Sequence, residues 1–246
     1  MWALIIAAVG DIHSPRFLPL FLKALSEVSV KPDLFILLGD IVEKNNIEAL
    51  TPVYKAVKER FEGVPLLGVF GNEEFRGFEK EYLVKYPGIT WLNDELRVVG
   101  LDGLEVCVVG TRGALDKPTP WQERNIPGIR DYYMSLPERI NGLLKECRRV
   151  KAHLTILASH YGVTYSNLRG EKPSVYPYLA SEKMSEVIKP ELVDLVLHAH
   201  AHNAVLEYTM VNNVPVYNAS LPGRGRILVI DVKHRRSVLH WLSKPR

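Results

Sequence analysis

The sequence predicts an α/β fold with parallel strands, and three observations carry this prediction. Several short apolar runs end in Asp, Asn or His, and continuous apolar runs are typical of strands covered on both faces. Amphipathic helical stretches separate the first of these runs, and strand–helix–strand alternation favours a parallel sheet. The chain has 246 residues, 47% hydrophobic and 24% charged, which is ordinary for a globular protein with a sizeable core.

Five apolar runs are predicted as buried strands, each followed directly by a polar residue able to bind a metal. They are ALIIAAV before Asp11 and His13, LFILL before Asp40, PLLGVF before Asn72, LTILAS before His160, and VDLVL before His198, His200 and His202. The N-terminal run is short and Asp11 follows it at once, so we interpret it as a strand and not as a signal peptide. No run approaches the ~20 apolar residues that a membrane span needs, and we expect a cytoplasmic protein.

Helical periodicity predicts three helices, over residues 16–28, 46–61 and 136–150, the last with Pro137 in its first turn. Between residues 112 and 133 the chain is rich in proline and aromatic residues and lacks periodicity. Segments of this kind are often functional, so we predict a loop there that determines substrate specificity.

The C-terminal part of the chain changes character after Asn203. Four β-rich segments, AVLEYTMV, VPVYNAS, RILVIDV and SVLHWL, predict an antiparallel meander with a turn at Asn212–Asn213. Because no linker-like stretch precedes them, we expect residues 1–246 to form one domain.

Charge and cysteine content limit the classes of function. The net charge of +3 comes without a long Lys/Arg run, so a nucleic-acid partner is not expected. Cys107 and Cys147 are far apart and lack metal-ligand spacing, which predicts buried free thiols in a reducing compartment. Gln122 is the single glutamine, a weak sign of a thermophilic source.

Seven side chains at the strand ends predict a metal centre. They are Asp11, His13, Asp40, Asn72, His160, His200 and His202. Carboxylate, imidazole and amide oxygen together suit ions such as Mn, Fe or Zn, and seven ligands fit two ions with one carboxylate shared. Taken singly, each position is more often a cap, a turn or a core histidine, but their placement at every strand end favours metal ligands. Two such ions suit phosphate-ester hydrolysis, because they stabilise both the entering and the leaving oxygen.

The ordered motifs resemble the calcineurin-like metallophosphoesterases. That family carries D-x-H, G-D, G-N-H-[D/E], a single His and G-H-x-H in this order. The corresponding blocks here are GDIH, GDIV, GNEE, ASHYG and AHAH.

The resemblance implies a four-layer α/β/β/α sandwich, two mixed sheets face to face with helices outside. It also implies two divalent ions, with Mn²⁺ expected first and Fe, Zn or Ni as alternatives. Asp11, His13 and His202 would hold one ion, Asn72, His160 and His200 the other, and Asp40 would bridge them. Since the pattern uses only the last two of the three histidines, His198 is predicted to support or pack beneath the site.

The sequence departs from the family pattern at two positions. Ala199 replaces the glycine before the histidine pair, and Glu73 replaces the histidine that follows Asn72 and contacts the phosphoryl group. Glu73 has three readings: a protonated acid, a preference for diesters or activated leaving groups, or a weak or inactive relative that keeps its metals. The second is favoured. Asp40, Asn72 and Glu73 are the candidate catalytic residues.

Arg112 and Arg169 are candidate phosphate ligands, each with a solvated surface arginine as the alternative. The predicted function is phosphodiester hydrolysis of a small substrate by a hydroxide bridging the two ions. The alternatives are a phosphomonoesterase, a nucleotide pyrophosphohydrolase, or a metal-bound scaffold without activity. No membrane partner is expected, and a homo-oligomer is an open expectation.

Overall fold

Two mixed β-sheets form the centre of the protein in a computed structural model, which describes residues 2–234. The strands are β1 Trp2–Val9, β2 Leu34–Leu38, β3 Leu66–Val69, β4 Thr90–Leu92, β5 Glu95–Leu101, β6 Leu104–Thr111, β7 Leu154–Ser159, β8 Leu195–His198, β9 Tyr208–Val211, β10 Val214–Asn218 and β11 Leu228–His234. The first sheet has the order β11-β1-β2-β3-β4 and the second β5-β6-β7-β8-β10-β9. Strands β1 to β4 run parallel, as do β6, β7, β8 and β10, while β5, β9 and β11 pair antiparallel.

Helices cover the outer faces of both sheets. They are α1 Leu18–Ser26, α2 Leu50–Arg60, α3 Glu79–Lys85, α4 Pro120–Asn125, α5 Ile129–Arg149, α6 Glu182–Ser185 and α7 Leu221–Arg224, with 3-10 turns at Ile47–Ala49 and Pro173–Tyr178. None of the helices within residues 2–234 has the length and apolar character needed to cross a bilayer.

Three apolar layers hold the sheets and helices together. Ile36 of the first sheet and Ile156 of the second belong to the core between the sheets. Phe21 and Val53 pack helices α1 and α2 on the outer face of the first sheet, and Leu144 of α5 packs on the outer face of the second. The predicted four-layer α/β/β/α arrangement is therefore confirmed, and the apolar runs are strands because both of their faces are buried.

Helix α5 begins earlier than predicted and changes the segment 112–133. It starts at Ile129, so Pro137 lies inside the helix and not in its first turn. Proline removes one helical hydrogen bond, but Tyr133 and Leu136 before it are buried in the core, and this packing outweighs the local break. A capping box between Thr119 and Gln122 also starts α4, so the segment is not a long loop.

The C-terminal strands do not form one meander. Asn212 and Asn213, both at positive φ, make the predicted two-residue turn between β9 and β10. Strand β10 then pairs parallel with β8, and β11 crosses to the first sheet and pairs with β1. The segment SVLHWL, predicted as a further strand, lies outside the described residues.

The two cysteines are paired, which corrects the prediction of free thiols. Cys107 of β6 and Cys147 of α5 form a disulfide across the interface between the second sheet and its covering helix. Spacing along the chain carries no information about which strand and helix meet, so this pairing was not predictable from the sequence.

Candidate metal centre

The ends of strands from both sheets bring the seven predicted side chains to one place. Asp11 and His13 follow β1, Asp40 follows β2, Asn72 follows β3, His160 follows β7, and His200 and His202 follow β8. All of these strands are parallel within their sheets, so their carboxyl ends lie at a common edge.

The candidate ligands form two overlapping groups, and within each group the ligand atoms lie within 4.8 Å of one another. One group contains Asp11, His13 and His202, and the other contains Asp11, Asp40, His160 and His200. In the first, His202 Nε2 lies 3.4 Å from Asp11 Oδ1 and 3.5 Å from His13 Nε2. Three atoms at such spacing surround a volume in which one ion would fit.

Asp40 and Asn72 extend the second group. Asp40 Oδ2 lies 3.5 Å from His160 Nε2 and 3.8 Å from His13 Nε2, so this oxygen stands between histidines of the two groups. Asn72 Oδ1 is 3.3 Å from His160 Nε2. Asp11 belongs to both groups, so the structure offers two carboxylates between the sites where the resemblance implied one.

Four of the seven candidate ligands have positive φ, a left-handed backbone conformation that most residues avoid. Asp11, His13, Asp40 and His200 have φ of 59°, 42°, 50° and 68°. Left-handed backbone at non-glycine residues costs of order 1–3 kcal/mol each and clusters at functional sites. Ala199 does not share this conformation, which explains why alanine is accepted in the place of the family's glycine.

The hydrogen bonds of His160 leave one of its nitrogens free to bind a metal. His160 Nδ1 donates to the Leu38 carbonyl at 2.9 Å, so Nε2 carries the lone pair and faces Asp40.

Asp11 Oδ1 and His200 Nδ1 are buried without a hydrogen-bond partner. Buried acceptors without partners are rare, and this donor set fits divalent ions.

Burial keeps two of the candidate ligand histidines neutral. It lowers the pKa of His160 well below the usual value and that of His200 to about 4, so both imidazoles retain a lone pair at neutral pH. Burial raises the pKa of Asp40 well above its usual range, and the nearby carboxylates of Glu74 and Asp11 add to this effect. For Asp11 the opposing influence of His202 outweighs burial, and its pKa is lowered.

Comparison with known proteins decides the family. A sequence profile of the calcineurin-like phosphoesterases matches residues 4–204. The chain belongs to the calcineurin-like phosphoesterase family. No curated protein matches its sequence closely.

Solved structures share the fold of this calcineurin-like phosphoesterase. Phosphopantetheinyl hydrolase from Mycobacterium tuberculosis has a TM-score of 0.62 at 15% identity, over 89% of this chain and 90% of its own. A calcineurin-like phosphoesterase from Bacillus subtilis has a TM-score of 0.56 at 14% identity, over 96% and 86%. The NAD nucleotidase of Haemophilus influenzae has a TM-score of 0.59 at 13% identity; the match covers 94% of this chain but only 46% of the nucleotidase. The structural matches establish a common fold, and at identities this low they establish the fold alone.

Glu74 organises the ligand loops of this calcineurin-like phosphoesterase, a role that the sequence reasoning missed. Its fully buried carboxylate accepts hydrogen bonds from the backbone N–H groups of Gly71, Asp40, Ile41 and Val42, at 2.7, 2.8, 2.7 and 3.2 Å. It thereby joins the ends of β2 and β3 and fixes the positions of Asp40 and Asn72. The GNEE motif contained the signal, because the family pattern has an acidic residue at this position.

Arg112 reinforces the same loop and also lines a cavity beside the site. Its guanidinium is buried and donates to the carbonyls of Gly71 and Glu74 and, at 2.8 Å, to Glu79 Oε1. The alternative of a solvated arginine is wrong. Its terminal nitrogens are occupied by the protein, so the contacts in the structure are not those of a free phosphate ligand.

Glu73 lies beside the ligands and keeps its carboxylate at the site. Its backbone N–H donates to Asp40 Oδ1 at 2.7 Å, and its Oε2 accepts from the Lys44 N–H at 2.6 Å. The first bond orients Asp40 so that Oδ2 faces the histidines. Glu73 is half-buried and lines a cavity next to Asn72.

His198 and Arg169 stand apart from the ligand groups. Both nitrogens of His198 are used by the protein, Nδ1 by the Ala199 carbonyl and Nε2 by Asn167. It therefore has no lone pair left for an ion. Arg169 is exposed and is not among the residues that line the cavity, so no contact in the described part of the chain supports its predicted phosphate contact.

A cavity of about 770 Å³ opens beside the candidate ligands. Asn72, Glu73 and His200 line it on the side of the metal centre. The other walls come from the loop 71–78 and the segment 112–133. Tyr161, which follows His160, also lines the cavity, and its ring centroid lies 4.8 Å from that of His200.

Proposed function

We propose that this protein is a dinuclear metal-dependent phosphoesterase that hydrolyses small phosphodiesters. The observation that supports it best is the single cluster of ligand side chains from both sheets, with carboxylates between the histidines. Two bound divalent ions would polarise a phosphoryl oxygen and lower the pKa of a water molecule.

The seven ligands would divide between two ions as the family pattern implies. Asp11, His13 and His202 would hold the first, Asn72, His160 and His200 the second, with Asp40 between them. Mn²⁺ is the proposed metal, with Fe, Zn and Ni as alternatives.

The chain's own residues hold these ligands before any ion binds. Glu74 fixes the Asp40 backbone, and the N–H of Glu73 turns the Asp40 carboxylate. The Leu38 carbonyl sets the tautomer of His160. Such preorganisation avoids reorganising the site during the reaction.

Glu73 supports the preference for diesters. Its carboxylate lies where the family has a histidine, on the cavity wall beside Asn72. A carboxylate repels a monoester dianion more strongly than a diester monoanion, and it lacks an imidazole's readiness to donate a proton to the leaving oxygen.

Activity measurements on reconstituted protein test the proposal. Protein stripped with a chelator is loaded with Mn²⁺, Fe²⁺, Zn²⁺ or Ni²⁺, and kcat/KM is compared for bis-p-nitrophenyl phosphate and p-nitrophenyl phosphate. We expect diester turnover to dominate, and Glu73→His to raise monoester kcat/KM by at least about 10-fold, since a positioned acid contributes 10²–10⁴-fold. Glu62→His, at an exposed position away from the site, is the matched control.

Two of the alternatives have outcomes of their own in these measurements. If the protein bound two ions per chain but turned over neither ester with any of the four metals, the metal-bound scaffold would be favoured. Faster monoester than diester hydrolysis by the unaltered protein would favour the phosphomonoesterase. Homo-oligomer formation stays a prediction, which light scattering would check.

A further inference from the structure

The cavity beside the metal centre has the size and surface of a site for an organic group. Its volume of about 770 Å³ falls within the range of small-molecule pockets. Asn72 and His200 belong both to the ligand cluster and to the cavity wall. A phosphoester bound at the ligands would therefore extend its organic group into this space.

Exposed aromatic faces surround the cavity. Trp121 of α4 is 56% exposed, and Phe75 and Phe78 of the loop 71–78 are 39% and 42% exposed. All three lie on the cavity wall, together with Tyr133 and Tyr178. Large aromatic surfaces gathered around a concave site are typical of ligand-binding surfaces, and flat rings stack on them.

The polar side chains of α4 are already engaged by the protein. Gln122 bonds the Thr119 backbone N–H and the Tyr161 hydroxyl, and Asn125 Nδ2 donates to the Trp121 carbonyl. The wall therefore offers ring faces more than hydrogen bonds, so it favours an aromatic shape and discriminates little between related ring systems.

Arg76 brings a positive charge to the same cavity. Its guanidinium lies 4.3 Å from the centroid of the Tyr132 ring and lines the cavity. The arginines that form salt bridges within residues 2–234 are Arg112, Arg130, Arg139, Arg148 and Arg226. Arg76 is not one of them, and Tyr132 donates its own hydroxyl to Asp94. A half-buried cation without a carboxylate partner favours binding of an anion.

We propose that the substrate is a phosphodiester carrying a flat aromatic group of nucleoside size, whose ring contacts Trp121 and whose phosphate contacts Arg76. This inference rests on the proposed hydrolysis of phosphodiesters at the metal centre. It adds the chemical class of the group that fills the cavity and a cation that offsets the negative charge of Glu73.

Two substrates with one leaving group test the ring contact. The p-nitrophenyl ester of thymidine 5′-phosphate and methyl p-nitrophenyl phosphate release the same phenolate, so their kcat/KM ratio reports the remaining group. We expect a ratio of about 10 or more, because stacking on one aromatic side chain contributes a factor of this order. Trp121→Ala should bring this ratio close to 1, and Trp121→Phe should leave it near the value of the unaltered protein.

Tyr208→Ala is the matched control, because Tyr208 is also an aromatic residue with 56% exposure but is not part of the cavity wall. Its ratio should equal that of the unaltered protein. A ratio that Trp121→Ala leaves unchanged would overturn the ring contact while leaving diester hydrolysis in place.

Substitution of Arg76 tests the phosphate contact. Arg76→Gln should lower kcat/KM for both esters by a similar factor, of the order of 10-fold or more, because both carry the same phosphate charge. Arg139→Gln, at an exposed arginine beside Asp94, should change neither value. Equal kinetics of Arg76→Gln and the unaltered protein would overturn this contact.

Calorimetric titration of metal-free protein with thymidine separates the inference from the proposed function. Thymidine has no phosphate, so its binding does not depend on the ions, and Trp121→Ala should weaken it about 10-fold. Binding of this kind without hydrolysis by any metal form would reject the proposed function and retain the aromatic site. Hydrolysis without thymidine binding would reject the aromatic site.

Discussion

The ligand cluster and the wall of the neighbouring cavity are built in opposite ways. Around the cluster, Asp11, Asp40 and His160 are almost completely buried, and left-handed backbone is frequent. Along the cavity wall, Trp121 and Phe78 expose large aromatic faces; Trp121 lies on the capped helix α4 and Phe78 in the loop 71–78. The ligand cluster holds metal-binding atoms in fixed positions, and the cavity wall offers an exposed aromatic surface.

This difference indicates how the two regions divide the work. Groups that must hold ions need fixed positions, and buried hydrogen bonds such as those of Glu74 supply them. A wall that selects an organic group needs shape and apolar area more than fixed polar atoms. Substitutions in the cluster should therefore change metal binding and stability, and substitutions in the wall should change substrate preference.

Asp40→Asn should have the largest effect. It removes a ligand charge between the two metal sites, so activity and metal affinity should fall by at least about 100-fold. This loss exceeds the 10–100-fold that is typical when a residue hydrogen-bonded to a ligand is substituted. The metal-free variant should nevertheless melt higher. Burial raises the pKa of Asp40 in the fold, so above about pH 4 this carboxyl ionises readily only in the unfolded chain, which destabilises the metal-free fold relative to the unfolded state; neutral Asn avoids this.

Metal analysis, kinetics and melting curves of the metal-free proteins at several pH values measure these effects. The gain in melting temperature should increase as the pH rises from about 4, in the range where unfolded aspartate ionises. Asp102→Asn is the matched control, because Asp102 also has positive φ, at 46°, but lies exposed in the β5–β6 turn. Full activity of Asp40→Asn would refute the proposed role of Asp40 between the ions.

Glu74→Gln should come next, and it acts on the positions of the ligands. An amide NH₂ would replace one of two oxygens that each accept two backbone N–H groups, so two buried donors would lose their acceptor. Each unsatisfied donor costs about 1–3 kcal/mol, so unfolding free energy should fall by a similar amount or more. Metal affinity should fall about 10-fold, the lower end for a supporting residue.

Urea unfolding and metal titration of the two proteins provide the comparison. Glu81→Gln on α3, at an exposed position, should leave both quantities unchanged. A variant of Glu74 with normal metal affinity would show that β2 and β3 hold Asp40 and Asn72 in place without it.

Most of the fold was predictable because its signals are local. The apolar runs before Asp11, Asp40 and His160 marked the strands, and Asn212–Asn213 marked the hairpin turn. The misses depend on contacts between distant segments. Helix α5 continues through Pro137 because its first turns pack on the second sheet, and the pairing of the cysteines follows from the meeting of β6 with α5.

In the candidate site too, features with a local sequence signal were predicted, and features that depend on contacts between distant segments were not. The side chains of the predicted ligands come together, because each follows a strand whose end lies at one edge. The contacts of Arg112 were not predicted and Arg76 was not among the candidates, since a sequence does not show whether an arginine will find protein acceptors, as Arg112 does, or remain without a salt bridge, as Arg76 does. Gly71 fits the same pattern: any side chain there would collide with Asp40 Oδ1, a constraint visible only in three dimensions.

His198→Ala should have the smallest effect and sharpens the boundary of the cluster. His198 is neutral because burial lowers its pKa to about 4, and both of its nitrogens are bonded within the protein. Its loss should leave metal content unchanged and reduce the unfolding free energy by about 1–3 kcal/mol, since Asn167 would lose a buried partner. His202→Ala, four residues further along, should instead lose metal, because His202 Nε2 faces Asp11 and His13. If elemental analysis found the reverse, with metal lost on substituting His198 and kept on substituting His202, the ligand pair would be His198 and His200, and the hydrogen bonds of His198 to Ala199 and Asn167 would have to break when an ion binds.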